Sequence, residues 1–276
     1  KKADGNWCIE EDAGRINEIL SFHSSLPPEE SLNSPKLCFG MEIQKTADTV
    51  LKKLTEGEAL VFGLLTDSHY VVNGTWGDTL ANINAVNDKV GFDGLIHLGD
   101  LQDGMLDKKM CRRIATKCIS DMRHICEPLY MAIGNHDTNY FKGNTEWLTE
   151  AEQYGLYGRF MDNYVCREKQ NGWYYVDYSK HGLRMIFLSS FNHREEVRYG
   201  FPEEEIFWVK RVLKATPSNY KVLIFSHDAP LAELDYWASD IRNGEALMNV
   251  LETYHNMQGH CILGYIHGHT HADHVY

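Results

Sequence analysis

The eleven residues IHGHTHADHVY at the end of the chain hold four histidines and one aspartate. Four segments upstream have the same character. They are TDSH, with Asp67 and His69; LGD, with Asp100; GNHD, with Asn135, His136 and Asp137; and SHD, with His227 and Asp228. Carboxylates, imidazoles and one amide, with no thiolate, suit Mn²⁺, Fe or Zn²⁺ better than a soft metal. The candidate ligands Asp67, His69, Asp100, Asn135, His227, His269 and His271 are more than one tetrahedral ion needs. Two divalent ions sharing a carboxylate would use them all. Such a pair, about 3.5–4 Å apart, can bridge a hydroxide and clamp a phosphoryl group for in-line attack. A lone D-x-H or G-D is ordinary turn chemistry. The weight lies in the whole set, because each member closes an apolar run. Both D-x-H and H-x-H put two side chains on one side of an extended segment, so each pair is expected to reach one site together.

The elements that must position these residues follow from the hydrophobic pattern. Continuous apolar runs over 59–69, 94–104 and 128–137 alternate with helical patterns over 78–90 and 107–125. Unbroken apolar runs imply strands covered on both faces, and the alternation implies βαβ units. Residues 173–179 and 183–190, divided by KHG, read as a hairpin. A helix with proline at its start (202–215), a strand (220–230), a helix (243–257) and a strand (261–271) follow. Ligands of open α/β sheets sit beyond the carboxyl ends of the strands, where five polar loops can converge. Residues 1–58 differ. Helical patterns over 10–26 and 42–58 flank a Pro/Ser-rich break and carry no evident chemistry. The expected organisation is an N-terminal helical extension (1–58) and a catalytic domain (59–276).

Composition narrows the partners. The 276 residues include 27 lysines and arginines against 39 aspartates and glutamates, a net charge of −12. Such a surface repels a nucleic-acid duplex but not a small phosphoester brought to bound metal. Seven cysteines without a C-x-x-C pair read as buried small hydrophobes, not as a disulfide framework. No apolar run reaches the length of a membrane span. A cytoplasmic location is the expectation, with a segment ahead of Lys1 open to having been removed. The oligomeric state is left open.

Taken together, Asp67-Ser68-His69, Gly99-Asp100, Gly134-Asn135-His136-Asp137, His227 and Gly268-His269-Thr270-His271 resemble the calcineurin-like metallophosphoesterases, with all five blocks in that family's order across about residues 60–271. The resemblance implies an α/β fold (α+β by some schemes) of two facing mixed β-sheets flanked by helices, a four-layer sandwich. It also implies that further strands usually follow the last block, so the domain is expected to lack its final strands. Asp67, His69 and His271 would bind a first ion, and Asn135, His227 and His269 a second, with Asp100 bridging. His136 would contact the phosphate and protonate the leaving oxygen, with Asp137 orienting and charging its imidazole. Tyr70, Asp103, Asn139, His193, Arg194 and Arg198 are candidate pocket or substrate contacts. His97, inside a strand, is expected to pack, and Asp228 to support its neighbour His227. The implied activity is dinuclear-metal phosphoester hydrolysis, with manganese favoured over iron or zinc and diesters over monoesters. The alternatives are a phosphomonoesterase or nucleotidase, a protein phosphatase, and a non-catalytic scaffold that keeps the fold.

Overall fold

The computed structural model describes residues 34–272 and Val275, so the expected helix over 10–26 lies outside the described residues. Helix α1 (Gly40–Leu54) ends four residues before the expected 58. It lies on helix α2 (Trp76–Val90), where Lys89 Nζ donates to Gln44 Oε1 at 3.0 Å and Lys36 pairs with Asp78 at 2.6 Å.

Strands β1 (Phe62–Leu65), β2 (Gly94–His97) and β3 (Leu129–Met131) form one sheet in that order, parallel throughout. Every residue of β2 is buried, as an unbroken apolar run requires. One covering layer comes from α2 and α3 (Lys108–Ile125). The Asp107 side chain caps α3 by accepting from Met110 N at 2.8 Å. Cys111, Ile114, Ala115, Cys118, Met122 and Ile125 recur at three- and four-residue spacing, so one stripe of α3 faces the core. Cys111, Cys118 and Cys126 are therefore the buried small hydrophobes expected; Cys38 and Cys166 are exposed instead.

The second sheet has the order β4 (Tyr174–Tyr178), β5 (Leu183–Phe187), β6 (Lys221–Phe225), β7 (Cys261–Ile266). The expected hairpin is present, since β4 and β5 are antiparallel, while β5, β6 and β7 are parallel. This sheet is thus the mixed one. The two sheets face each other through aromatics. Phe187 stacks on Tyr130 at 5.8 Å, on Tyr174 at 4.7 Å and on Phe225 at 4.7 Å. The buried Tyr174 hydroxyl accepts from Met131 N (2.9 Å) and donates to Met131 O (3.0 Å), closing the register between the sheets. The outer face of the second sheet is covered by α4 (Glu203–Lys214) and α5 (Gly244–His255). Trp208, Val212, Leu247 and Leu251 pack there on Ile186, Val222 and Ile224. The layers run helix, sheet, sheet, helix. No described helix is long and apolar enough to cross a membrane.

Candidate metal centre

All five polar segments leave the carboxyl ends of strands. β1 stops at Leu65, two residues before Asp67; β2 at His97, three before Asp100; and β7 at Ile266, three before His269. Backbone bonds then stitch the loops together. Asp67 N donates to Gly99 O (3.0 Å), His69 N to Asp100 O (3.0 Å) and Gly268 N to His227 O (2.9 Å). The expectation that each paired motif is extended is corrected here. Asp67, His69, Asp100, His269 and His271 all have positive φ, between 40° and 65°. The pairs converge because both members kink to the left-handed side, at about 1–3 kcal/mol each for a non-glycine residue. The glycines of GNH and GHTH have a separate cause. A Cβ on Gly134 would meet the Asp100 carboxylate, and one on Gly268 would meet Thr66 Oγ1 and the Asp67 carboxylate.

Two donor clusters result. In one, His271 Nε2 lies 3.3 Å from Asp67 Oδ1 and 3.2 Å from His69 Nε2. In the other, His227 Nε2 lies 3.2 Å from Asp100 Oδ2, 3.2 Å from Asn135 Oδ1 and 3.2 Å from His269 Nδ1. Asp100 Oδ2 also comes within 3.8 Å of His69 Nε2, so this one oxygen stands between the clusters. Asp100 Oδ1 is held apart by His136 N at 2.8 Å. His271 is half exposed, whereas Asp100, Asn135, His227 and His269 are buried, so the first cluster opens to solvent and the second does not.

The donor sets fit cations. His227 Nδ1 is 2.9 Å from the Leu98 carbonyl, which only accepts, so Nδ1 carries the proton and the Nε2 lone pair points into the cluster. The ring nitrogens of His269 and His227, and of His69 and His271, face each other at 3.2 Å, with Asp67 Oδ1 buried and without a hydrogen bond beside them. Only a proton or a cation between such atoms makes the contact favourable. The electrostatics agree. Burial alone would lower the His227 pKa, but Asp100 and its neighbouring carboxylates raise it well above the ordinary imidazole value. Burial opposes ionisation of Asp100, but His227 and the surrounding imidazoles hold its pKa below the usual range. His269 goes the other way, lowered to about 4 by burial and by His227.

The residues around the clusters differ from expectation in several places. His136 Nδ1 donates to the Asp103 carbonyl at 2.9 Å, and its Nε2 faces Asp100 Oδ2 at 3.9 Å. Asp137 does not orient this ring. Its fully buried carboxylate turns inward and accepts from Asp100 N (2.8 Å), Leu101 N (3.0 Å) and Gly134 N (2.9 Å). Burial and Asp100 raise its pKa to about 7. Asp137 therefore holds the turns at Asp100 and Gly134 together, and a backbone carbonyl orients His136. Three expected substrate contacts are likewise consumed inside the protein. Asp103 Oδ1 meets His69 Nδ1 at 3.2 Å and Oδ2 accepts from Val71 N, fixing the ring that presents Nε2 to the first cluster. Asn139 is fully buried and donates to the carbonyls of Leu106 (2.7 Å) and Glu146 (2.8 Å). Tyr70 is buried edge-on to Trp76. His193 packs on Trp147 at 4.6 Å and, with Arg194, lines a cavity of about 230 Å³ together with Phe191 and Arg242. Arg198 donates to the Tyr140 hydroxyl. Aromatic rings run from Tyr140 through Phe191 (5.6 Å) and Tyr199 (5.3 Å) to His269 (5.0 Å), walling the centre. Sequence reasoning missed this wall and also Asp235, whose Oδ1 lies 3.8 Å from His269 Nε2, because neither has a motif spacing.

Residues 60–273 match the calcineurin-like phosphoesterase family over most of the chain. The chain belongs to that family. No curated protein sequence matches it. Among solved structures, a dimetal phosphatase from Danio rerio is similar, with a TM-score of 0.56 at 16% identity over 78% of this chain and 82% of the other. A phosphopantetheinyl hydrolase from Mycobacterium tuberculosis gives 0.45 at 11% identity over 79% and 85%. At such identities the first likeness shows the shared fold. As a calcineurin-like phosphoesterase, the chain is a metal-dependent phosphoester hydrolase whose buried histidines and aspartates are grouped as a dinuclear divalent centre requires.

Proposed function

We propose that this phosphoesterase hydrolyses phosphodiesters at two divalent ions. Asp67, His69 and His271 would hold one, Asn135, His227 and His269 the other, and Asp100 both. The observation that carries the ligand assignment is the single Asp100 oxygen between the two imidazole clusters, 3.2 Å from His227 and 3.8 Å from His69. Manganese is the favoured metal, because the donors are carboxylate, imidazole and amide without a thiolate; iron and zinc fit the same set. When bound, the pair supplies an activated water nucleophile and positive charge for the phosphoryl oxygens.

The protein's own groups do the rest. Nδ1–H of His136 is committed to the Asp103 carbonyl, so Nε2 is the nitrogen free to carry a proton to the leaving oxygen. The aromatic wall shields one side of the centre from water. The preference for diesters is supported by the family resemblance, in which a D-x-H pair such as Asp67 and His69, together with a G-H-x-H block such as Gly268 to His271, is common among phosphodiesterases.

The test uses metal-free protein reconstituted with Mn²⁺, assayed on bis-p-nitrophenyl phosphate and p-nitrophenyl phosphate. The diester is expected to turn over faster. Asp100→Ala should abolish activity, and His136→Ala should lower it about 10²–10⁴-fold with ion content unchanged. Equal or faster monoester hydrolysis would overturn the diester preference, and full activity in both variants would overturn the mechanism.

A further inference from the structure

His269, like His69, has a carboxylate at each ring nitrogen, but neither of its two carboxylates is among the candidate ligands. Asp228 Oδ1 lies 3.5 Å from Nδ1 and Asp235 Oδ1 lies 3.8 Å from Nε2. All three residues are buried, and Asp228 Oδ1, Asp235 Oδ2 and His269 Nε2 have no hydrogen-bond partner among the described residues. No lysine or arginine among the described residues neutralises either carboxylate. Both are fixed in place. Ser190 Oγ donates to Asp228 Oδ2 at 2.6 Å, and Asp235 Oδ1 accepts from Trp237 N (2.7 Å) and Ala238 N (3.0 Å). Buried, unpaired carboxylates are costly, so their retention beside one imidazole calls for a role.

The two nitrogens of His269 are not equivalent. Nδ1 faces the cluster, 3.2 Å from His227 Nε2, while Nε2 faces away, towards Asp235. If Nδ1 offers its lone pair to a cation, Nε2 must carry the ring proton. A protonated nitrogen cannot ligate a further ion, although Asp228, Asp235 and His269 offer donor atoms within 4.8 Å of one another. Its complement is an acceptor, and Asp235 is the acceptor present.

We infer that Asp235 is a positioning residue for the second ion: it accepts from Nε2–H of His269, fixes the tautomer that leaves Nδ1 free, and makes that nitrogen a stronger donor. Outer carboxylates of this kind typically change metal affinity by 10–100-fold. Asp228, on the other ring nitrogen, adds negative charge beside the same ion. The inference rests on the dinuclear reading above. It distinguishes the two positions, because the first relies on Asp103 behind His69.

The experiment is calorimetric titration of metal-free protein with Mn²⁺, with Co²⁺ absorption as a second readout. The wild-type protein should take up two ions per chain. Asp235→Asn keeps an oxygen for Trp237 and Ala238 N–H but removes the charge. It should weaken the second ion about 10-fold or more, alter the Co²⁺ spectrum of that position and leave the first ion unchanged. Asp235→Ala should weaken it further. Two ions bound by Asp235→Asn with wild-type affinity and an unchanged spectrum would overturn the inference while leaving the dinuclear reading intact. A third ion, present in the wild-type protein and lost in Asp235→Asn, would also overturn it, because the carboxylates would then be ligands. Fewer than two ions in the wild-type protein would instead remove the dinuclear reading on which the inference stands.

Discussion

At the scale of single residues, the backbone dictates the protonation of His97. Gly99 N–H donates to its Nδ1 at 3.1 Å, so that nitrogen must be bare, and Nε2–H is left to donate to Ser68 Oγ at 2.8 Å. The ring is fully buried, and burial lowers its pKa to about 4. The sign follows. Between pH 4 and the unfolded value near 6.5, the unfolded chain binds a proton that the folded chain refuses. The stability held by neutral His97 is therefore complete above pH 6.5 and falls as pH drops towards 4, by about 3 kcal/mol in all. Denaturant unfolding of metal-free protein should show this loss, and His97→Gln should make that part of the pH profile shallower, leaving the share of His269, whose pKa burial and His227 also lower to about 4. An equally steep profile in the variant would show that another group is responsible. The packing role of His97 was legible from its place inside an apolar run. The inward turn of Asp137 was not, because adjacency to His136 in sequence says nothing about which way a carboxylate faces once three N–H groups compete for it.

At the scale of elements, the strands supply position and the turns after them supply aim. β1 to β3 are short, and the chemistry begins where their ladders end. A β-strand alternates its side chains, but these candidate ligands are left-handed residues in loops, and His269 and His271 fall in different clusters, so strand alternation is not what brings them together. Gly134 is where this aim is most exposed to change. Gly134→Ala should push the Asp100 carboxylate and backbone aside, destabilise the protein by about 1–3 kcal/mol and reduce bound ions. Gly155→Ala, with nothing within 4 Å of the added carbon, should stay within about 0.5 kcal/mol of wild type and keep its ions. Equal metal content and unfolding midpoints in the two variants would refute the clash argument.

At the scale of the molecule, the candidate ligands are shared between the two sheets. Asp67, His69, Asp100 and Asn135 follow strands of the parallel sheet; His227, His269 and His271 follow strands of the mixed one. Ions bound there would tie the sheets together at one edge, while the Phe187 stack holds them in the middle. Because the unfolded chain has no such cluster, each ion should stabilise by about 3 kcal/mol at 100 times its Kd. Adding a chelator should lower the thermal midpoint, and Mn²⁺ should restore it in proportion to the logarithm of its concentration. A midpoint indifferent to both would contradict a cross-linking centre.

The sequence alone determined the family resemblance, the strand and helix order and the identity of the candidate ligands. Those depend on residue type and on local period, which one dimension records. Only the tertiary structure decided which sheet is mixed, that a carbonyl rather than Asp137 orients His136, and that Asp103, Asn139 and Tyr70 are spent inside the protein. It alone also brought Asp235 to His269, across 34 residues with no spacing to signal it. Those outcomes depend on which buried polar atoms find partners first, and that competition exists only after the layers have packed.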